Sequence, residues 1–212
     1  MTGPLDRGIY LASRSPRRRE LLTQIGVRYR LLLFRAHPGR ETDVNEDPLE
    51  GELPGAYVER VARIKAQAGW GSLLQRNLPR APVLAADTTV ALAGAIFAKP
   101  ANRQHAEEML RALSGRRHEV LTAVALKHEE DLASALSVSE VAFKPLSDDE
   151  IRHYVASGEC DDKAGAYAIQ GRAARFIVEL RGSYSGVMGL PLYETAELLG
   201  RLGNPRERRH PH

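Results

Sequence analysis

The chain has 212 residues, 43% of them hydrophobic and 27% charged, with a formal net charge of +3 and a single cysteine, Cys160. That length suits one sizeable core or two lobes sharing a sheet, and one cysteine excludes an internal disulfide and a thiolate metal cluster. No apolar run reaches the roughly 20 residues that cross a bilayer, and the first residues, MTGPLDRG, lack the basic-then-apolar order of a secretory leader, so the expectation is a cytoplasmic protein with no membrane partner.

Taken in chain order, Ile9, Tyr10, Leu11 and Ala12 read as a short buried strand. Ser15 is placed to cap a helix that begins at Pro16, carries Leu21, Leu22 and Ile25 on one face and stops at Gly26. Arg17, Arg18 and Arg19 fall in its first turn, where a cation opposes the helix dipole at about 0.3–1 kcal/mol each when exposed. A bound polyanion, held also by the Ser13-Arg14-Ser15 loop, would offset that cost; a solvated charge run with Ser15 as a plain cap is the alternative. Tyr29 to Phe34 is a second apolar piece, and His37 to Gly55 a polar loop. Tyr57 to Ala68 has helical spacing, with Val58, Val61, Ala62 and Ile64 beside Lys65. Val83 to Ala86 reads as a buried strand that delivers Asp87, Thr88 and Thr89 at its C-terminal end, and Val90 to Phe97 as a hairpin turning at Ala93-Gly94.

A helix is predicted from Asn102 to Leu113, with Gly115 as its stop, then strands over Glu119 to Lys127 and Ala133 to Phe143. Ser147-Asp148-Asp149-Glu150 is a capping box that starts a helix ending at Gly158. Glycine-rich stretches over Gly165 to Gly171 and Gly182 to Gly189 precede a strand, Arg175 to Leu180, and a closing helix, Tyr193 to Leu199. The basic tail over 201–212 reads as disordered. The alternation of strands and helices predicts an α/β protein with a mixed sheet. No GxGxxG follows the first strand and no Walker lysine follows a glycine loop, which excludes those two nucleotide-binding classes. Basic and aromatic residues do not interleave, so no nucleic-acid partner is expected.

Asp87 is the strongest candidate for chemistry, because open α/β sheets place reacting groups at strand ends; it can bind a divalent metal or take a proton from water. The loop offers Glu41, Asp43, Glu46 and Asp47 as further ligands, without a choice among them. Lys99, extended before Pro100, is suited to a phosphate, as are Lys65 and Lys163, the latter leading into the glycine-rich stretch. Gln170 has an amide that donates and accepts, the pattern of a nucleobase edge. His118 reads as structural, Cys160 as inert beside Glu159, Asp161 and Asp162, and Ser183 lacks a base for a triad.

LASRSPRRRELL, VNE, AADTTV, KP, LSGRRHEV, KAGAYAIQG and GSYSGVMGLPLYE resemble, in order and spacing, the Maf family of nucleoside triphosphate pyrophosphatases, over roughly Ile9 to Leu199. The resemblance implies a single catalytic domain over 1–200, with a two-lobed mixed-sheet fold around a central cleft, distantly similar to inosine triphosphate pyrophosphatases. It implies hydrolysis between the α and β phosphates with a divalent metal, Mg²⁺ or Mn²⁺, and a homodimer as an expected partner state. Carried over residue by residue, Asp87 looks like the proton acceptor and metal ligand, with Glu46 assisting at the metal. Lys99, Arg18 and Ser13 would line the triphosphate side, and Arg17 and Thr88 look like residues of specificity. AYAIQG resembles the branch acting on dTTP and UTP, in which Gln170 helps to select the base. Asn45 stands where the loop motif often has Asp, and Ala98 where a glycine is common. A 7-methyl-GTP pyrophosphatase and a non-catalytic nucleotide-binding regulator of cell division are the alternatives.

Overall fold

The computed structural model describes residues 8–33 and 45–203. Ile9–Leu11 forms a buried strand, β1, and Pro16–Gln24 the helix α1, with Pro16 in its first turn, where the missing N–H is no loss. Ser15 takes the capping position but its side chain makes no cap bond; its N–H donates instead to Ser13 Oγ at 3.1 Å. Tyr29–Leu31 (β2) lies parallel to β1. The expected helix falls short at both ends, since α2 runs over Pro54–Gln75. It continues through Gly69, where a Cβ would come within 2.7 Å of Val83 Cγ1, so that glycine marks a close approach to the sheet and not a stop.

Val83–Leu92 is one continuous strand, β3, joined to Ala95–Phe97 (β4) by the Ala93-Gly94 turn, both residues at positive φ, as a tight hairpin requires. The expectation that Asp87 ends the strand is corrected here. Arg117–His128 (β5) pairs antiparallel with β3 without interruption from Val83↔Lys127 to Ala91↔Glu119, and the β-forming Thr88 and Thr89 extend that ladder. On the other edge the ladder to β1 stops at Leu84 and the one to β4 starts at Val90. Among the described residues, 85–89 thus have a strand neighbour on one side only, and Asp87 sits in the middle of that interval.

Among the described residues, Asp131–Phe143 (β6) and Ile177–Arg181 (β7) complete a seven-stranded mixed sheet in the order β2-β1-β3-β5-β6-β7, with β4 beside β3. Arg103–Leu113 (α3) is capped by the Asn102 side chain, and Asp148–Ala156 (α4) by the capping box of Ser147 and Glu150. Tyr184–Met188 (α5) lies inside the second glycine-rich stretch, and Leu192–Gly203 (α6) closes the chain, running past the expected start of the tail. Phe34, Glu41, Asp43 and residues 204–212 lie outside the described residues.

Three apolar clusters surround β3. Val58, Val61, Ala62 and Leu73 of α2 pack on Val83, Ala85 and Ala123. On the opposite face Leu21, Leu22, Leu198 and Leu199 pack on Leu84, Ala86 and Val124. Beyond them Leu110, Ile151, Tyr154 and Phe176 pack on Val90, Val120 and Phe143. Asp87–Thr89 falls where these clusters meet.

Candidate active site

Side chains alternate along β3, so Asp87 shares the face of Ala85 and Ala91, under α2, and Thr88 the opposite face. Asp87 is 8% exposed, a burial that a lone carboxylate does not sustain without a partner. Lys65 Nζ of α2 supplies one at 2.8 Å from Asp87 Oδ1, and lies 2.7 Å from Glu46 Oε2. The loop is fastened in that position. The Tyr57 hydroxyl donates to the Glu46 carbonyl at 2.9 Å, and Arg60 donates to Glu52, to the Asp47 carbonyl and to the Asn45 carbonyl. Burial, with Asp87 and Glu46 adding to it, pushes the Tyr57 phenol up to about 12; the Arg60 hydrogen bond holds the Glu52 carboxyl down to about 2. Asn45 accepts the Asp47 N–H at 2.9 Å, a turn contact that an amide makes as well as a carboxylate.

On the opposite face, Arg18 Nε donates to the Gly189 carbonyl at 2.7 Å, Nη1 to Ser13 Oγ at 3.3 Å and Nη2 to Thr88 Oγ at 3.5 Å. Arg17 Nε donates to the Met188 carbonyl at 3.1 Å. Thr122 Oγ lies 3.0 Å from Thr88 Oγ and donates to the Gly186 carbonyl at 2.8 Å. The dipole cost at the start of α1 is therefore met within the chain, by carbonyls at the C-terminal end of α5, where cations are favoured. Burial lowers Arg18 from its ordinary value and the Asp87 charge opposes that shift; burial and then Arg17 lower Lys163. The guanidiniums and Lys163 form one cationic side, and Asp87 with Glu46 the acidic side.

Asp87 and Glu46 converge on one cation-sized position, presently held by the Lys65 ammonium. Among the described residues no group of three or more His, Cys, Asp or Glu side chains could hold a metal ion. Two carboxylates with the remaining positions left to water and phosphate oxygens is a donor set that suits Mg²⁺, so the residues fit a divalent cation shared with a phosphorylated ligand.

A family model for the Maf-like protein matches residues 8–202. The chain belongs to the Maf family. It is similar to a dTTP/UTP pyrophosphatase of Aromatoleum aromaticum, 59% identical over 95% of this chain and 98% of the relative. Proteins of the same name from Nitrosomonas europaea (55% identical; 96% and 98% covered) and Dechloromonas aromatica (55%; 92% and 97%) are also similar. Among solved structures, that of the Staphylococcus aureus Ham1 protein aligns with 91% of this chain and 96% of its own at a TM-score of 0.48 and 15% identity.

In this Maf chain the structure brings Asp87 and Glu46 together through Lys65, and Ser13, Arg18 and Thr88 together through one guanidinium, with Arg17 alongside. Lys99 is exposed and outside both groups; the Ala98 carbonyl before it accepts the Gly165 N–H at 3.2 Å, which sets Lys99 beside the start of the glycine-rich stretch. Gln170 is exposed on a turn in that stretch, and its side chain bonds to no other described residue. Lys65 is the residue that sequence reasoning undervalued. Its signal is a lysine at i+4 from Val61 and i+3 from Ala62, on the apolar face of a helix. Thr122 was missed altogether, because only the Thr88↔Thr122 register brings it to the site.

Proposed function

We propose that this chain hydrolyses nucleoside triphosphates, dTTP and UTP foremost, between the α and β phosphates, releasing a nucleoside monophosphate and pyrophosphate. The observation that carries the reading is the convergence of Asp87 and Glu46 on Lys65, at an interval of β3 that no strand of the described residues covers on its β1 side. The names of the relatives support the same activity. Asp87 takes the proton of a water that attacks the α-phosphorus, the bond to the bridging oxygen breaks, and pyrophosphate departs with its charge offset by Arg17, Arg18 and Lys99. Without a metal, Lys65 fixes the Asp87 carboxylate in place, and Ser13 and Thr88 steer the Arg18 fork. Asp87 and Glu46 would hold a divalent cation, Mg²⁺ or Mn²⁺, whose chemistry is Lewis-acid polarisation of a phosphate oxygen. Lys163 adds positive charge beside Arg17, and Gln170 reads the pyrimidine edge.

A panel of dTTP, UTP, CTP, 7-methyl-GTP and ITP, with added Mg²⁺ or Mn²⁺ and with EDTA, tests the reading by resolved products. Monophosphate and pyrophosphate should appear fastest from dTTP and UTP, and EDTA should stop turnover. Orthophosphate as the first product, or 7-methyl-GTP as the best substrate, would overturn it. Asp87→Asn should lower turnover about 10²–10⁴-fold while circular dichroism reports a folded chain; near-normal hydrolysis removes Asp87 from the mechanism.

A further inference from the structure

The turn that carries Gln170 is tied down by two side chains with no part in the hydrolysis. Gly171 N–H donates to the Ala168 carbonyl at 3.1 Å, so Ile169 and Gln170 occupy the two central positions of a closed turn. On the entering side, the Ala168 N–H donates to the Tyr154 hydroxyl oxygen at 3.2 Å. On the leaving side, the Arg172 N–H donates to Glu159 Oε2 at 3.0 Å and the Ala173 N–H to Oε1 at 3.5 Å. The Tyr154 hydroxyl in turn donates to Glu159 Oε1 at 3.1 Å. A single phenol–carboxylate pair, from α4 and the loop after it, thus holds both ends of the turn.

The fit is close. A Cβ at Gly171 would lie 2.3–2.6 Å from the Glu159 carboxylate atoms, so a side chain there would push that carboxylate aside, while the φ of Gly171, −109°, is open to any residue. Tyr154 is 1% exposed, and its phenol is raised by burial and by the Glu159 charge, which keeps it a donor through the neutral range. The Gln170 amide is exposed and has no side-chain partner among the described residues. Its direction is set by the backbone beneath it, and that backbone hangs on the charge-assisted bonds of Glu159.

We propose that Glu159, acting with Tyr154, is a positioning residue for base recognition: it aims the Gln170 turn at the nucleobase and takes no part in phosphate chemistry. The inference rests on the reading of Gln170 as the base-selecting side chain, and small misplacement of such a group is costly to recognition. UTP and CTP differ only at the base edge that an amide reads, so the ratio of their kcat/KM values is the diagnostic quantity. Glu159→Gln keeps the volume but replaces one acceptor oxygen with a donor. It should lower the UTP-to-CTP ratio about five- to tenfold through the KM for UTP, the loss of roughly one hydrogen bond, with kcat within about twofold. Tyr154→Phe keeps the ring and removes the phenol link; it should move the ratio the same way by less, and it decides the matter if Glu159→Gln does not fold.

Gln170→Ala separates the two readings. If it leaves the ratio at the parental value, the base-selecting role of Gln170 falls and the proposal with it. If it collapses the ratio while Glu159→Gln and Tyr154→Phe do not, the Gln170 reading stands and the positioning role is overturned. In the Gln170→Ala background, Glu159→Gln should change the ratio no further; a second drop of the same size would overturn the proposal, as would an equal loss of kcat for both nucleotides with the ratio intact.

Discussion

Lys65 is the residue on which the acidic side turns. Its ammonium sits 2.7 and 2.8 Å from the carboxylates of Glu46 and Asp87, and the Asp87 pair, with side chains 14% and 12% exposed, differs from a surface pair because removing one partner strands the other. The same oxygens are the ones a divalent cation would use, so ammonium and metal compete for a single position. Lys65→Met keeps the helix-forming stem and deletes the charge. Without metal it should cost about 1–3 kcal/mol of unfolding free energy, and millimolar Mg²⁺ should recover part of that loss, because an ion that binds only the folded state stabilises it. Denaturant unfolding of parent and variant, with and without Mg²⁺, reads this directly. Equal stabilisation of both proteins by Mg²⁺ would mean that the carboxylates do not share their cation position with Lys65.

At the level of elements, the N-terminal turn of α1 and the C-terminal end of α5 are joined by two guanidiniums across 171 positions of sequence. That join is structural as well as electrostatic. Arg18 spans three acceptors, Gly189, Ser13 and Thr88, a geometry that needs the planar fork and not just a positive charge. Arg18→Ala and Arg18→Lys should therefore both lower unfolding free energy by about 1–3 kcal/mol, with catalytic efficiency falling further than stability accounts for. Parental melting behaviour in both variants would return Arg18 to a purely ligand-facing role. What the sequence made legible was local: the Ser147–Glu150 box and the Ala93-Gly94 turn each carry their signal within four residues. The helix α5 rests on more than its local signals. It is five residues long inside a glycine-rich stretch, held by the Ser183 cap, the left-handed Gly189 and the distant arginines. The site divides the same way: Asp87 was visible as a charge after an apolar run, whereas the residues alone left Glu46 and Asp47 undecided; the family resemblance picked Glu46, and folding brings the lysine of α2 to it.

For the whole molecule, one contribution to stability against acid comes from a buried histidine that packs on Tyr167, three residues before Gln170. Among the described histidines His118 alone is buried, packed edge-on against Phe143 and Tyr167, with Nε2 2.9 Å from the Tyr167 hydroxyl and Nδ1 without a partner. Burial lowers its pKa from 6.5 to about 4. The unfolded chain then takes up a proton near pH 6.5 that the folded chain refuses until about pH 4, so stability falls as pH drops through that window and the loss is complete below it. The shift corresponds to about 3 kcal/mol at most. Glu52 and Glu150, held down to about 2 by Arg60 and Lys144, act in a lower window: their contribution is present above about 4.5 and is lost as pH falls toward 2. The two windows barely overlap, which makes the histidine separable. His118→Gln keeps a hydrogen-bonding group beside Tyr167 and has no titration, so its unfolding free energy should be lower than the parent's at pH 7.5 yet nearly flat from there to pH 4.5, where the parent loses up to about 3 kcal/mol. Urea unfolding at half-unit pH steps measures both slopes. A Gln variant with the parental slope would shift the acid sensitivity of this fold away from His118 and onto its carboxylates.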